Sequence, residues 1–454
     1  MHASGPHFQC QARLERLEVM PSSEESSEPS RLAILTDRDF RCFFLGNAVS
    51  KIGDSPIPVA FAIATYQITG QAGGIAAVLL SLWSTRLVMV GPGGSLADRF
   101  NRVTVMMIAD VIRFVAQASL ALLIFSPVDT EVWHLCLSAA VYGVGSALYV
   151  PAQIGFLPQL VKAGDLPRAN ALFGILADVS VVLGPALAGL LMTTVGFGWL
   201  LVIDCVSFLA NILFIAGLRC RAAVFQDSAA ATAATGKETP DHGGHGFLSS
   251  LRLTRQFPWF TAGLGLWFFV SLGIGLVSVA GPTIAVAQLS GIGAWSVLST
   301  FLAIGSLLGS STVIVAARIL TWRGAAATTA VGLLPQYVLL GLADSAATLW
   351  LLAPSFLLAG LVTAVCGTIW DAEYQDQLPQ HHLSRLGSLE NFVNTAGVPV
   401  GMLLGGLTAH FYMPTYTALG TIVFLFGLLC AALARGRRDA QGGATVTYSA
   451  GHHE

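Results

Sequence analysis

The chain has 454 residues, 54% of them hydrophobic and 11% charged, with a mean hydropathy of +0.70. Soluble domains carry charge on about a quarter of their residues, so this composition excludes one and leaves an integral membrane protein. The net charge of -2, from 23 basic and 25 acidic residues, gives no ground for a nucleic-acid partner.

Apolar segments recur along the whole chain at the length of roughly 20 residues that a membrane-crossing helix needs. About twelve are predicted, near 40–66, 72–94, 103–125, 131–157, 168–193, 197–218, 257–285, 293–317, 324–342, 346–370, 386–409 and 413–434. They lack period-2 alternation and are too long for barrel strands, so helices are the predicted way to satisfy their backbone groups in lipid. Before them, residues 1–37 are expected to form a disordered cytoplasmic tail, marked by Pro21-Ser-Ser-Glu-Glu-Ser-Ser-Glu-Pro29 and lacking an apolar core suited to a cleaved signal. Residues 38–218 are read as one six-helix bundle, 219–256 as a flexible polar link, 257–434 as a second bundle and 435–454 as a tail.

Charge placement predicts the topology. Of the 23 basic residues only Lys51, Arg86 and Arg113 fall well inside spans; Arg41 and Arg168 stand at span ends next to the N-terminal tail and the loop after the fourth span, and the other 18 lie in the tails or in loops after even-numbered spans. Both termini are therefore expected on the cytoplasmic side of the cell membrane.

Ionisable groups inside spans carry the chemistry, because each costs about 2.5–3.5 kcal/mol at the bilayer centre and needs a partner or a purpose. Asp54 in the first span lies about 17 Å beyond Phe43 along a helix, near the midplane, beside Gly53, Pro56 and Pro58. It is read as a proton acceptor, or as the partner of Lys51 three residues earlier. Arg86 in the second span has no nearby acid of its own. It either faces a cavity, with Asp54 or Asp110 and less readily Asp178 across from it, or snorkels to the surface. In the third span Asp110 and Arg113 stand three apart and are expected to neutralise each other. Asp178 lies deep in the fifth span and Asp204 nearer the outer end of the sixth.

No Asp, Glu, Lys or Arg occurs from Phe257 to Ala317, so the second bundle is expected to shape a substrate cavity. Trp267, Phe268, Trp295, Tyr337 and Trp370 are its candidate lining, with helix packing as the alternative use of such rings. Gly184, Pro185, Gly189, Pro399, Gly401 and Gly405 are expected to let helices approach closely.

Two further patterns complete the reading. Leu157-Pro-Gln159 recurs as Leu378-Pro-Gln380, and Leu166-Pro-Arg-Ala-Asn-Ala-Leu172 aligns with Leu383-Ser-Arg-Leu-Gly-Ser-Leu389. That register places Gly184 and Gly189 on Gly401 and Gly406, as two bundles related by an axis along the membrane normal require. Between the second and third spans, Gly94-Ser-Leu-Ala-Asp-Arg-Phe-Asn-Arg102 packs an acid and two arginines into a short connection.

That connection resembles the loop 2-3 motif of the major facilitator superfamily, Gly-x-Leu-x-Asp-Arg-x-Gly-Arg, with Asn101 where glycine is usual. Gly46-Asn-Ala-Val-Ser-Lys-Ile-Gly-Asp54, Asp165-Leu-Pro-Arg-Ala-Asn-Ala-Leu172, Gly184-Pro-Ala-Leu-Ala-Gly189 and Arg385-x-x-Ser388 through Pro399-x-Gly401 look like the branch of the enterobactin exporter and macrolide efflux proteins. The resemblance implies an all-α integral membrane fold of twelve transmembrane helices in two pseudo-symmetric six-helix bundles. It also implies export by proton antiport, with Gly94, Asp98, Arg99 and Arg102 as a conformational latch. Departures at Arg86 and Val181 point to a substrate unlike that of the best-known members, or to a changed coupling route.

Enzymatic readings find little support. Gly91-Pro-Gly-Gly94 lacks the Lys-Ser/Thr of a phosphate loop, and the adjacent His381 and His382 cannot share one metal from a regular helix. The seven cysteines stand singly. The expectation is a monomeric transporter of a small molecule, embedded in lipid, with no metal and no cofactor beyond a proton gradient. An importer and a non-transporting sensor are the rival readings.

Overall fold

In a computed structural model of the chain, residues 31–233, 253–289, 291–343, 348–378, 380–408 and 411–433 are described, and helices account for nearly all of them. The first half comprises α1 (Arg38–Asp54), α2 (Ile57–Thr69), α3 (Ala72–Arg99), α4 (Arg102–Phe125), α5 (Val132–Leu160), α6 (Leu166–Thr194) and α7 (Phe197–Ala233). The second comprises α8 (Pro258–Ile284), α9 (Ile292–Ile319), α10 (Trp322–Gly332), α11 (Leu334–Gly341), α12 (Leu349–Gln377), α13 (Gln380–Leu407) and α14 (Tyr412–Leu433).

Proline explains two interruptions. Pro56 and Pro58 remove the N–H groups that Ile52 and Asp54 would have accepted from, so the first expected span divides into α1 and α2. Ser55 Oγ donates to the Ile52 carbonyl at 2.9 Å and replaces one lost bond. Pro335 divides the ninth expected span into α10 and α11 in the same way, about Leu333.

Within the first half α3 and α4 pack on α5, and α1 and α4 on α7; within the second, α9 packs on α12, α8 on α13, and α10 and α11 on α14. The halves meet chiefly through α6 against α9 and α3 against α13. Their close approaches are Gly189 on Ser296, Gly406 on Ala76, and a cluster of Ala62, Ala72, Ile75 and Leu79 with Val279, Val398 and Met402. All of these lie at helix ends remote from the Arg99–Arg102 connection.

The expected packing glycines are in close contact. A Cβ at Gly184 would lie 2.6 Å from the Ser55 carbonyl oxygen at the α1–α2 break, and one at Gly401 would overlap the Leu272 carbonyl. Gly405 faces Val279, while Pro185 and Pro399 are half-buried inside α6 and α13. In lipid, where no hydrophobic force drives helices together, such backbone approach supplies the dispersion contact that holds them.

Boundaries differ from expectation in three places. Each of the twelve expected segments is helical, but among the described residues ten helices are long and apolar enough to cross a membrane; the divided first segment and α13 are not among them. The connection after the second span is shorter than expected, because α3 continues through Asp98 to Arg99. Asn101 then caps α4, its side-chain oxygen accepting from Val103 N at 3.0 Å and Thr104 N at 3.3 Å. At φ -58 this position has no need of glycine, which accounts for the departure from the family motif. The expected link from 219 begins later, since the alanine-rich stretch up to Ala233 continues α7. The rest of the link and most of both tails lie outside the described residues.

Candidate functional site

A cavity of about 300 Å³ opens within the first half, toward the Arg99 end. Its walls carry Lys51 and Asp54 from α1, Arg86 from α3, Arg113 from α4, Tyr149 from α5 and Asn170 from α6. The α1–α2 break places Asp54 at the end of a half-helix, where irregular backbone at membrane depth is tolerated because it lines a cavity.

Arg113 is the centre of the arrangement. It bonds Asp110 Oδ1 one turn earlier on α4, and its other terminal nitrogen lies 3.7 Å from Asp54 Oδ2. Its guanidinium also sits 4.5 Å from the Tyr149 ring and 4.4 Å from the Phe208 ring, so the cation is held by charge and by ring faces together. Asp110 is fully buried and Arg113 is 4% exposed.

A neutral network braces this pair. Asn211 Nδ2 donates to Asp110 Oδ2 at 2.7 Å and contacts Tyr149 Oη at 2.8 Å, and Tyr149 donates to Asn47 Oδ1 at 2.7 Å. Asp204, also fully buried, accepts from Gln117 Nε2 at 3.3 Å. Gly53 brings α1 against Ser207 on α7, with Asp204 directly behind.

The two carboxylates nearest Arg113 therefore differ. Both oxygens of Asp110 accept bonds, one of them charge-assisted. Among the described residues Asp54 has one long ion pair, and its Oδ1 is buried with no donor.

The structure separates the expected site residues. Asp54, Asp110, Arg113 and Arg86 come together, and the Asp110–Arg113 pair forms as read. The alternative pairing of Asp54 with Lys51 does not form: Lys51 is exposed, and Asp54 turns to Arg113 because that cation lies on the inner side of the bundle. Arg86 faces the cavity, 5.4 Å from the Trp83 ring, and among the described residues makes no ion pair within 4.0 Å. Asp178 is exposed on α6, apart from this cluster.

In the second half Trp295 and Tyr337 line another cavity, whereas Trp370 packs among Phe260, Trp259 and Trp322, with ring centroids 5.4, 6.0 and 4.7 Å away. Trp267 and Phe268 are half-buried, and the Trp267 indole N–H has no hydrogen-bond partner among the described residues. Arg99 is exposed, Gly94 has open space at its Cβ position, and Arg102 bonds the Gly155 carbonyl on α5. The side chains of Asp98, His381, His382 and Arg385 lie outside the described residues.

Asn47, Gln117, Tyr149 and Asn211 were missed because attention to ionisable groups passed over neutral ones. Their signal was present: each is a hydrogen-bonding side chain inside an otherwise apolar span.

Two packed helical halves, the first holding a charged cavity beside a broken helix, define a multi-pass membrane protein built as a transporter. The chain belongs to the Major Facilitator Superfamily, which it matches over residues 43–401. It is 29% identical over 147 residues to the uncharacterised MFS-type transporter YfiS of Bacillus subtilis, a stretch covering 32% of this chain and 33% of that protein. Macrolide efflux protein A of Streptococcus pyogenes is 27% identical over 166 residues, 36% of this chain and 40% of its own length. The multidrug efflux pump Tap of Mycobacterium tuberculosis is 28% identical over 175 residues, 38% and 42% of the two chains. These matches thus span between a third and about two fifths of the relatives' lengths. Among solved structures, the nucleoside transporter NupG aligns with a TM-score of 0.66 at 11% identity, over 88% of this chain and all of that one. A bacterial homologue of the iron transporter ferroportin, in an inward-facing state, aligns at 0.68 and 15% identity, over 87% and 97%. At such identities the likeness is one of fold alone.

Proposed function

We propose that the chain is a proton-coupled exporter of small amphipathic molecules, working by alternating access. The carrying observation is Asp54, a carboxylate on a cavity wall with one weakly held oxygen and one unpartnered oxygen, at the break of the first span. Protonating it would weaken its hold on Arg113 and leave Arg113 to Asp110 alone, changing the force between α1 and α4. Proton and substrate then compete through one rearrangement rather than one contact.

The direction is supported by the two relatives named as efflux proteins. With the basic loops inside, the end at which Gly189 meets Ser296 would face outward and the charged cavity would lie on the cytoplasmic side. Arg99, exposed here, would engage the second half when that end closes. Arg86, facing the cavity without an ion-pair partner, would favour cargo bearing some negative charge.

The test is transport in proteoliposomes of known orientation, with a macrolide and with ethidium, under an imposed pH gradient. Export predicts movement against the proton flow that stops when the gradient is collapsed. Movement along the proton flow would make the chain an importer, and binding without movement a sensor.

A further inference from the structure

We propose that the second half holds its own binding cavity for a neutral, largely apolar small molecule bearing one hydrogen-bonding group. The cavity measures about 230 Å³ and lies between α8, α9, α11 and α12, the helices that follow one another in the second half as the walls of the charged cavity do in the first. None of its lining residues is ionisable at neutral pH.

Its origin is the break of the ninth span. Pro335 interrupts the helix between α10 and α11, and Leu333, Gln336 and Tyr337 at that break line the cavity. Gly273 on α8 lets the Tyr337 hydroxyl approach the opposite wall. The cavity is partly open, with the exposed Ile274 on its rim, so a small molecule has a way in.

The polar groups indicate the ligand. Ser278 and Thr363 spend their hydroxyls on their own helices, each bonding a backbone carbonyl at 2.7 Å. Ser299 does not: it is 7% exposed, lines the cavity, and its Oγ has no hydrogen-bond partner among the described residues. Gln336, 5% exposed, adds a second buried polar group on the facing wall. Trp295, one turn before Ser299 on α9, and Tyr337, next to Gln336 on α11, also line the cavity and supply ring contact. An ion would find no countercharge there, whereas a flat neutral molecule would meet rings along its length and a hydroxyl at its edge.

That this molecule is cargo rests on the export reading; that it binds does not. The experiment is a fluorescence titration of N-phenylnaphthylamine into the full chain in lipid nanodiscs, without any gradient, corrected against empty nanodiscs. Ser299→Leu and Thr363→Leu both project bulk into the void, and each is expected to weaken binding by about tenfold or more, the scale set by a few methylenes in an apolar pocket. Ser299→Ala keeps the void and is expected to cost a few-fold in affinity; it decides the matter if the leucine variants lose their thermal transition. Cationic tetraphenylphosphonium is expected not to compete. Unchanged affinity in the folded variants, competition by the cation, or uptake no greater than in empty nanodiscs would overturn the inference. A probe bound in this way but never moved by a gradient would remove the export reading and keep the cavity. A probe moved by a gradient yet bound equally by every variant would do the reverse.

Discussion

Asp54, at the end of α1, stands 3.7 Å from Arg113 in the body of α4. The contact joins a half-helix to a continuous one across the wall of the charged cavity, and it is loose only on the Asp54 side. Asn at that position keeps the size of the side chain and removes its titration. Asp54→Asn is expected to abolish gradient-driven movement in proteoliposomes while binding and the thermal midpoint stay near wild type. A collapsed midpoint would assign Asp54 to folding instead.

Arg113 and Asp110 are bound more tightly. Removing one member leaves a buried charge uncompensated, and Arg113→Met is expected to destabilise the protein by about 3–5 kcal/mol. Replacing both, as Asp110→Leu with Arg113→Met, is expected to recover part of that loss, because two apolar side chains need no partner. Unfolding midpoints in mixed micelles measure both.

Asn101 satisfies two backbone donors at the start of α4. Asn101→Ala is expected to cost about 1 kcal/mol, and Asn101→Gly only a few tenths. The same midpoints separate a cap from a position that glycine's flexibility would favour, where glycine would stabilise.

Gly401 and Gly94 carry opposite predictions although both belong to motifs. A side chain at Gly401 would meet the Leu272 carbonyl and push α8 from α13. Gly401→Leu is therefore expected to cost about 1–3 kcal/mol or more and to reduce monodisperse yield. Nothing lies within 4 Å of a Cβ at Gly94. Gly94→Ala is expected to stabilise α3 by about 0.5–1 kcal/mol, yet to slow transport if this surface closes on the second half during the cycle.

Much of this arrangement was legible in the residues. The apolar segments, the pairing of Asp110 with Arg113 and the close packing at Gly184, Gly189 and Gly401 follow from composition, from three-residue spacing and from small size. The partner of Asp54 did not follow, because spacing offered Lys51 and charge offered Arg86, while the face of α1 that meets Arg113 is not contained in either. Asp178 looked as deep as Asp54 and is exposed, for the same reason. Trp370 and Tyr337 read alike in sequence, yet one is sealed among four rings and the other borders a cavity.

By itself the sequence determined that this protein is helical, that it lies in a membrane, and which few charges inside its spans need an account. Hydropathy and spacing act along one helix at a time, so a single chain read in order contains them. Only the tertiary structure decided which side chain meets which, because that depends on how each helix is turned about its axis and on where prolines break it. Those rotations are set by contacts among several helices at once: Arg113 came to face Asp54, and a neutral cavity opened at Leu333.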